Sequence, residues 1–487
     1  LPTIVLLSKF FLPALLFLLA YRFIRKLTDD EKTSANIFIA ITGSLLVTLG
    51  IDLTDLSRLI RILTGAGDVG GMPIWTRPVN PISGALLLFL FLNLVWSVTV
   101  EKRKHFIIPA GLTLSMMFAS YFFSWGLAIS VLFILGLSFA LRKEFTRIIN
   151  LGWIVLTGII GATPYWILVA TVHSNPLFAE LSGRFGLIRT HDPLFNKVLL
   201  AAFGIFGGIS ILFWKKQQLK ESSWWPFCVA MLGGGLVALN QQIITGVTIW
   251  PFHFVQYTVP FAYIVLLVIF YRLIPSRYAL TRHFIFGILA IIPISFTIYT
   301  EVLDYQRLYP KFVARQQWAD IFDWLNDNTP KDSVVFINDN VGSLDLYIPA
   351  YTHNNLYFSQ SIIMAPRERF IRSYMSFLRL KGVTGDQIDA YLKDPKSEAT
   401  NYLYTNLFAV LRPGNFGNER DDELDATLAR LPEQYRQFLK EDFLTALKTN
   451  RLDYVLSKDE LSEDLLASLG NPTVVRLPNG IFIYHIL

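Results

Sequence analysis

Apolar residues run in long blocks up to about Leu303, and beyond it polar and apolar positions mix as in a water-soluble protein. A helix that crosses a bilayer needs about 20 predominantly apolar residues. Ten stretches have that character, near residues 3–24, 35–52, 83–100, 106–121, 125–141, 150–172, 197–214, 224–247, 255–274 and 283–303. Basic residues cluster between them at Arg22, Arg25, Lys26 and Lys32, at Lys102, Arg103 and Lys104, and at Arg142, Lys143 and Arg147. They return at Lys215, Lys216 and Lys220, then at Arg272, Arg277 and Arg282. Lys and Arg collect on the cytoplasmic side, so an even number of crossings must separate each cluster from the next. That parity splits Phe106–Leu141 into two spans turning near Tyr121 to Trp125, whose aromatic rings suit an interface. The outer loops are then residues 53–82, 173–196 and 248–254, with everything after about 304.

The pattern predicts two domains, a transmembrane helical domain over 1–303 and an extracytoplasmic α/β domain over 304–487. The second opens on a helix from Gln316 to Asn328, with Trp318, Ile321, Phe322 and Leu325 on one apolar face. Ser333–Asn338 reads as a buried strand and Asn355–Phe358 as another. A helix-rich stretch from about Pro366 to Thr449 follows, broken near Gly382, Gly385 and Pro413-Gly414. Asp453–Leu456, Thr473–Arg476 and Ile481–Ile486 read as strands, the last two joined by Asn479-Gly480, a strong hairpin signal. The expectation is a mixed sheet. Asp339-Asn-Val-Gly342 after the first strand is not G-x-G-x-x-G, which argues against a dinucleotide site.

Composition agrees with a polytopic membrane protein averaged with a soluble domain: 53% hydrophobic, 14% aromatic and 16% charged. The net charge of +6 sits beside apolar segments, so topology accounts for it and no nucleic-acid partner is expected. The single Cys228 excludes an intrachain disulfide and a cysteine-based zinc site. The chain opens at Leu1-Pro2 inside an apolar stretch and, by parity, its first span runs from outside to inside. The expectation is that an odd number of further spans precedes Leu1.

Three groups of polar residues fall at the outer edge. Loop 53–82 holds Asp55, Arg58, Arg61, Asp68, Trp75, Arg77 and Asn80. Arginine suits a phosphate because its planar fork donates two parallel hydrogen bonds and keeps its charge. An outer Arg paired with Asp55 or Asp68 is the structural alternative. Arg77 stands out because prolines fix the backbone around it. Asn240-Gln241-Gln242 ends the eighth span and precedes Trp250-Pro-Phe-His253; these groups could grip sugar hydroxyls or a phosphate, or simply bond helices together. Loop 173–196 carries His173, Glu180, Arg184, Arg189, His191 and Asp192 without metal-ligand spacing, and reads as solvated. In the tail, His353, Asp339 and Asp345 form no recognisable catalytic arrangement, and no G-x-S-x-G elbow occurs.

Three short elements resemble the integral-membrane glycosyltransferases of the GT-C fold. They are Arg77-Pro-Val-Asn80-Pro81-Ile-Ser83, Asn240-Gln241-Gln242-Ile-Ile-Thr245-Gly246 followed by His253, and Trp324-Leu-Asn-Asp-Asn-Thr329-Pro330-Lys-Asp-Ser-Val-Val-Phe336. The resemblance implies a polytopic enzyme that moves a sugar from a polyprenyl-phosphate donor to a glycan, lipid or protein acceptor at the outer membrane face. It implies substrate-binding roles for Arg77, Asn80, Asn240, Gln241 and His253. It leaves room for a divalent metal ion, on which the sequence is silent. In that family the general-base carboxylate lies in the first outer loop, which parity puts upstream of Leu1, so neither Asp52, Asp55 nor Asp68 is matched to it. Two alternatives stay open. A transporter or flippase predicts charges near the midplane and a two-fold repeat, neither of which is visible. A non-catalytic assembly protein predicts a tail that binds a partner.

Overall fold

The computed structural model describes residues 2–28, 35–54, 59–60, 64, 73–77, 80–182, 187–215, 222–338, 344–358, 365–394, 397, 399, 403 and 422–486. The chain forms two compact units, one of Leu1–Val172 with Arg189–Arg307 and one of His173–Ile188 with Leu308–Leu487. The first is helical. Its longer helices among the described residues are α1 (Pro2–Thr28), α2 (Ala35–Leu49), α3 (Ile82–Thr99), α4 (Ile107–Phe118), α5 (Phe122–Leu141), α6 (Phe145–Gly161), α7 (Thr163–His173), α8 (Lys197–Lys215), α9 (Trp224–Leu239), α10 (Phe252–Leu273) and α11 (Ala279–Arg315). Helix stands at each of the ten apolar stretches, but length separates them.

Six helices among the described residues are long and apolar enough to cross a membrane, and α6 with α7, bent by 57°, makes a seventh if the pair is one span. This is the architecture of a multi-pass membrane protein. At about 1.5 Å per residue, the 12-residue α4 reaches about 18 Å, short of the roughly 30 Å hydrocarbon core. The ten-span expectation is therefore met by helix at every position but by spanning length at only six or seven. The apolar-to-polar change near 303 also breaks no helix, because the 37-residue α11 runs through it from Ala279 to Arg315.

Contacts inside the first unit sort its ends by charge. Lys26 Nζ donates to Ser97 Oγ at 2.8 Å and pairs with Glu101 at 2.9 Å. Arg272 donates to the Leu27 carbonyl at 2.7 Å and lies over Trp224, while Arg142 donates to Ser222 O at 2.8 Å. Arg282 lies over Tyr271. These contacts bring Lys26, Arg142, Arg272 and Arg282, from four of the basic clusters, to one end, as the alternation in the sequence requires. Lys32, Lys216 and Lys220 lie outside the described residues. At the opposite end, Trp75 Nε1 donates to Val47 O at 2.7 Å and Tyr263 Oη to Gly50 O at 2.7 Å.

The second unit holds a five-stranded mixed sheet. Numbering the short strands Leu187–Arg189 and Val247–Ile249 as β1 and β2, its strands are β3 (Val334–Ile337), β4 (Asn355–Leu356), β5 (Tyr454–Ser457), β6 (Thr473–Arg476) and β7 (Phe482–His485). The order is β4-β3-β5-β7-β6, with β3 parallel to β4 and β5, and β7 antiparallel to β5 and β6. The β6–β7 turn closes with Leu477 N–H donating to Ile481 O at 2.8 Å, and Gly480 supplies the left-handed φ of 83° it needs. Successive strand residues face opposite sides. Val335, Leu456 and Ile483 pack with Trp318, Ile321 and Leu325 on one face. Phe336, Val455 and Tyr484 pack with Phe370, Tyr374 and Phe377 on the other. The segment His173–Ile188, read from sequence as a solvated loop, groups with this unit: Glu180 Oε1 accepts the Arg367 N–H at 2.6 Å.

The Trp324–Phe336 stretch acts as a knot in this fold. Thr329 Oγ1 donates to Leu325 O at 2.7 Å and accepts from Asn354 Nδ2 at 2.7 Å. His353 Nε2 donates to the Thr329 carbonyl at 3.0 Å, and Asn326 Nδ2 donates to Tyr351 O at 3.0 Å. Asn354 is 3% exposed, so removing its acceptor strands a buried amide. Thr329→Val should therefore cost about 1–3 kcal/mol. Thermal unfolding of the purified protein in detergent checks this, and an unchanged midpoint would rule it out.

Candidate functional site

The loop before α3 is pinned from both sides. Trp75, 2% exposed, closes the turn Ile74–Thr76 and its indole N–H is held by Val47 O. Arg77 follows directly, with an extended backbone and an exposed side chain. Pro78 and Val79 lie outside the described residues. Asn80 and Pro81 are joined by a cis peptide bond, and the Pro81 carbonyl accepts from Tyr257 Oη at 2.9 Å. Asn80 Oδ1 accepts from Ser83 Oγ at 3.4 Å at the start of α3. The first amides of that helix have no intrahelical partner, and its dipole favours negative charge there.

His253 is the second residue of α10. Its Nδ1 lies 2.7 Å from Tyr121 Oη, across 132 positions of sequence. The ring lies near those of Phe252, at 4.7 Å between centroids, Phe123, at 4.9 Å, and Trp250, at 5.5 Å. Burial pushes the Tyr121 hydroxyl up to about 12, with the Arg77 charge pulling the other way. Tyr121 thus keeps its proton at neutral pH. A neutral His253 that accepts it at Nδ1 carries its own proton on Nε2, ready to donate. Arg77 lies close enough for its charge to act on both residues. Among the described residues no carboxylate pairs with Arg77. Asp55, Arg58, Arg61 and Asp68 lie outside them.

Tyr257 ties this arrangement together one helical turn below His253. Its hydroxyl holds Pro81, and its ring lies 6.2 Å from Tyr121 and 5.9 Å from Trp75. A Cβ on Gly84 would come within 2.7 Å of that hydroxyl, so α3 approaches α10 there with no room for a larger residue. The i, i+4 spacing of His253 and Tyr257 was the available signal for this role.

The amides of the second element are otherwise engaged. Asn240 accepts from Leu194 N–H at 2.7 Å and donates to Leu194 O at 3.1 Å. Gln241 Nε2 donates to Val247 O at 2.8 Å, and its Oε1 accepts from Thr245 Oγ1 at 2.8 Å. Gln242 Nε2 donates to Asp192 O at 3.0 Å. His191 Nδ1 lies 3.1 Å from Ile243 O. These side chains hold the 190–196 and 240–247 backbones to each other. The structure thus ties the Asn80-Pro81 step to the helix that carries His253 through Tyr257, and the Arg77 charge reaches His253, whereas Asn240 and Gln241 support the neighbouring loop.

Asp52, in the turn Ile51–Thr54, lies close enough to Tyr263 for its charge to act on that phenol. Among the described residues no three His, Cys, Asp or Glu side chains gather to hold a metal ion. Comparison with family models gave no match, and comparison with curated proteins gave none.

Proposed function

We propose that the protein is a membrane glycosyltransferase that moves a sugar from a polyprenyl-phosphate donor to a glycan, lipid or protein acceptor at the extracytoplasmic face. The observation that carries this is the hydrogen-bonded Tyr121–His253 pair at the edge where the exposed Arg77, whose charge reaches both residues, precedes the start of α3. Orientation supports it. With the basic end of the helices in the cytoplasm, the Arg77 end and the segment after about 304 face the other side.

In the reaction an acceptor hydroxyl attacks the anomeric carbon, and the bond from that carbon to the phosphate oxygen breaks. The electron pair leaves with the phosphate, whose growing charge needs fixed donors. Arg77 offers a bidentate fork, His253 an Nε2–H, and the first turn of α3 its free amides. The acceptor proton goes to a carboxylate base, which the GT-C resemblance puts in an outer loop. The test is transfer of labelled sugar from a polyprenyl-phosphate donor by the purified protein, with Arg77→Ala as its decisive control. Flux of the donor across sealed vesicles without a covalent product would overturn the reading.

Tyr121→Phe keeps the ring contacts and deletes the bond that orients His253. Transfer should fall about 2- to 13-fold, the equivalent of a 0.5–1.5 kcal/mol hydrogen bond. A wild-type rate in this variant would remove Tyr121 from the site.

A further inference from the structure

Lys9 is the only charged residue between Pro2 and Tyr21, the predominantly apolar part of α1. Ionisable side chains in spanning helices are costly and usually serve a partner, a pathway or a ligand. Its level in the unit follows from how α1 lies along α3. Asn93 Nδ2 donates to Leu19 O at 2.9 Å, 74 residues apart. Lys26 Nζ meets Ser97 Oγ, 71 residues apart. Higher numbers pair with higher numbers, so the helices run the same way with an offset of 71 to 74 residues. The same offset sets Lys9 level with Asn80 to Ser83. Lys26 and Lys9 are separated by about 25 Å of helix, at 1.5 Å per residue, so they mark opposite ends of the unit. Packing agrees, because α1 touches the turn Ile74–Thr76 that immediately precedes Arg77.

We propose that Lys9 is a second cation of the phosphate site, acting with Arg77 from the facing helix. This rests on the reading of Arg77 as a phosphate-holding group. Arginine would supply the planar fork and Lys9 a compact charge with three rotatable donors, so the two reach different oxygens of one phosphate. The ligand class is a phosphate monoester or diester carried on a polyprenyl chain at the membrane rim.

The test is binding by the full chain in detergent, using three probes: polyprenyl phosphate, the polyprenol of equal length, and phosphatidic acid. Wild type should prefer polyprenyl phosphate to polyprenol. Lys9→Met, an apolar helix former suited to this span, should weaken polyprenyl phosphate binding about 10- to 100-fold, the worth of a charged hydrogen bond, and leave polyprenol binding unchanged. Lys9→Arg should restore most of the loss. If Arg77→Ala loses phosphate preference while Lys9→Met keeps it, the Lys9 proposal fails and the reading of Arg77 stands. If wild type binds the alcohol as well as the phosphate, both fail. If phosphatidic acid binds as tightly as polyprenyl phosphate and suffers equally from Lys9→Met, Lys9 grips bulk headgroups and the proposal is overturned.

Discussion

Arg77→Ala should lower sugar transfer about 10²–10³-fold, the usual cost of deleting one fixed donor to a developing charge. The loss should fall mainly on kcat, because phosphate carries more charge as it leaves than in the intact donor. Arg77→Lys should recover only part of the rate, since an ammonium keeps the charge but loses the bidentate fork. The side chain is exposed and no described carboxylate pairs with it, so its removal leaves no buried partner stranded. A stability loss is therefore not expected, and an unchanged thermal midpoint separates the catalytic effect from misfolding. Wild-type transfer by Arg77→Ala would sink the proposed function.

Gly234→Val should be the most disruptive single change in the helical unit. A Cβ at Gly234 would stand 2.8 Å from both the Cα and the N of Val131, so α9 and α5 meet main chain to main chain. Membrane helices use small residues for such approaches because lipid offers no hydrophobic drive to pack them. Main-chain atoms cannot rotate away as a side-chain tip can, and overpacking of this kind costs about 1–3 kcal/mol or more. The displacement also reaches the site, since Tyr121 immediately precedes α5. A misplacement of about 1 Å can cost about 10²-fold in rate. Thermal midpoint and transfer should fall together in Gly234→Val. Gly207→Ala is the control, because a Cβ there meets nothing within 4 Å, and it should hold or raise the midpoint. Equal behaviour of the two variants would refute the close-packing account.

Much of the architecture was legible because its signals are local. Apolar run length located helix at ten places, and the parity of basic clusters predicted the ends that Lys26, Arg142, Arg272 and Arg282 share. Alternating strand residues and Asn479-Gly480 marked the sheet and its hairpin. Run length alone did not fix the number of spans, because α4 is an apolar stretch that the fold uses as a 12-residue helix. The α6–α7 bend likewise falls within a run that reads as continuous.

The site divides the same way. Residue chemistry picked out Arg77, Asn80, His253 and the Asn240–Gln241 amides as polar groups at one edge. Which of them work together depended on contacts across long separations. Asn240 is spent on Leu194, 46 residues away, and His253 is held by Tyr121, 132 residues away. Likewise, no local pattern could place His173–Ile188 with a unit that resumes at Leu308. Hydrophobic period and charge bias act on a residue and its immediate neighbours, so they set element type and sidedness. Hydrogen-bond partnership depends on which helix faces which, and that is decided only when the helices pack.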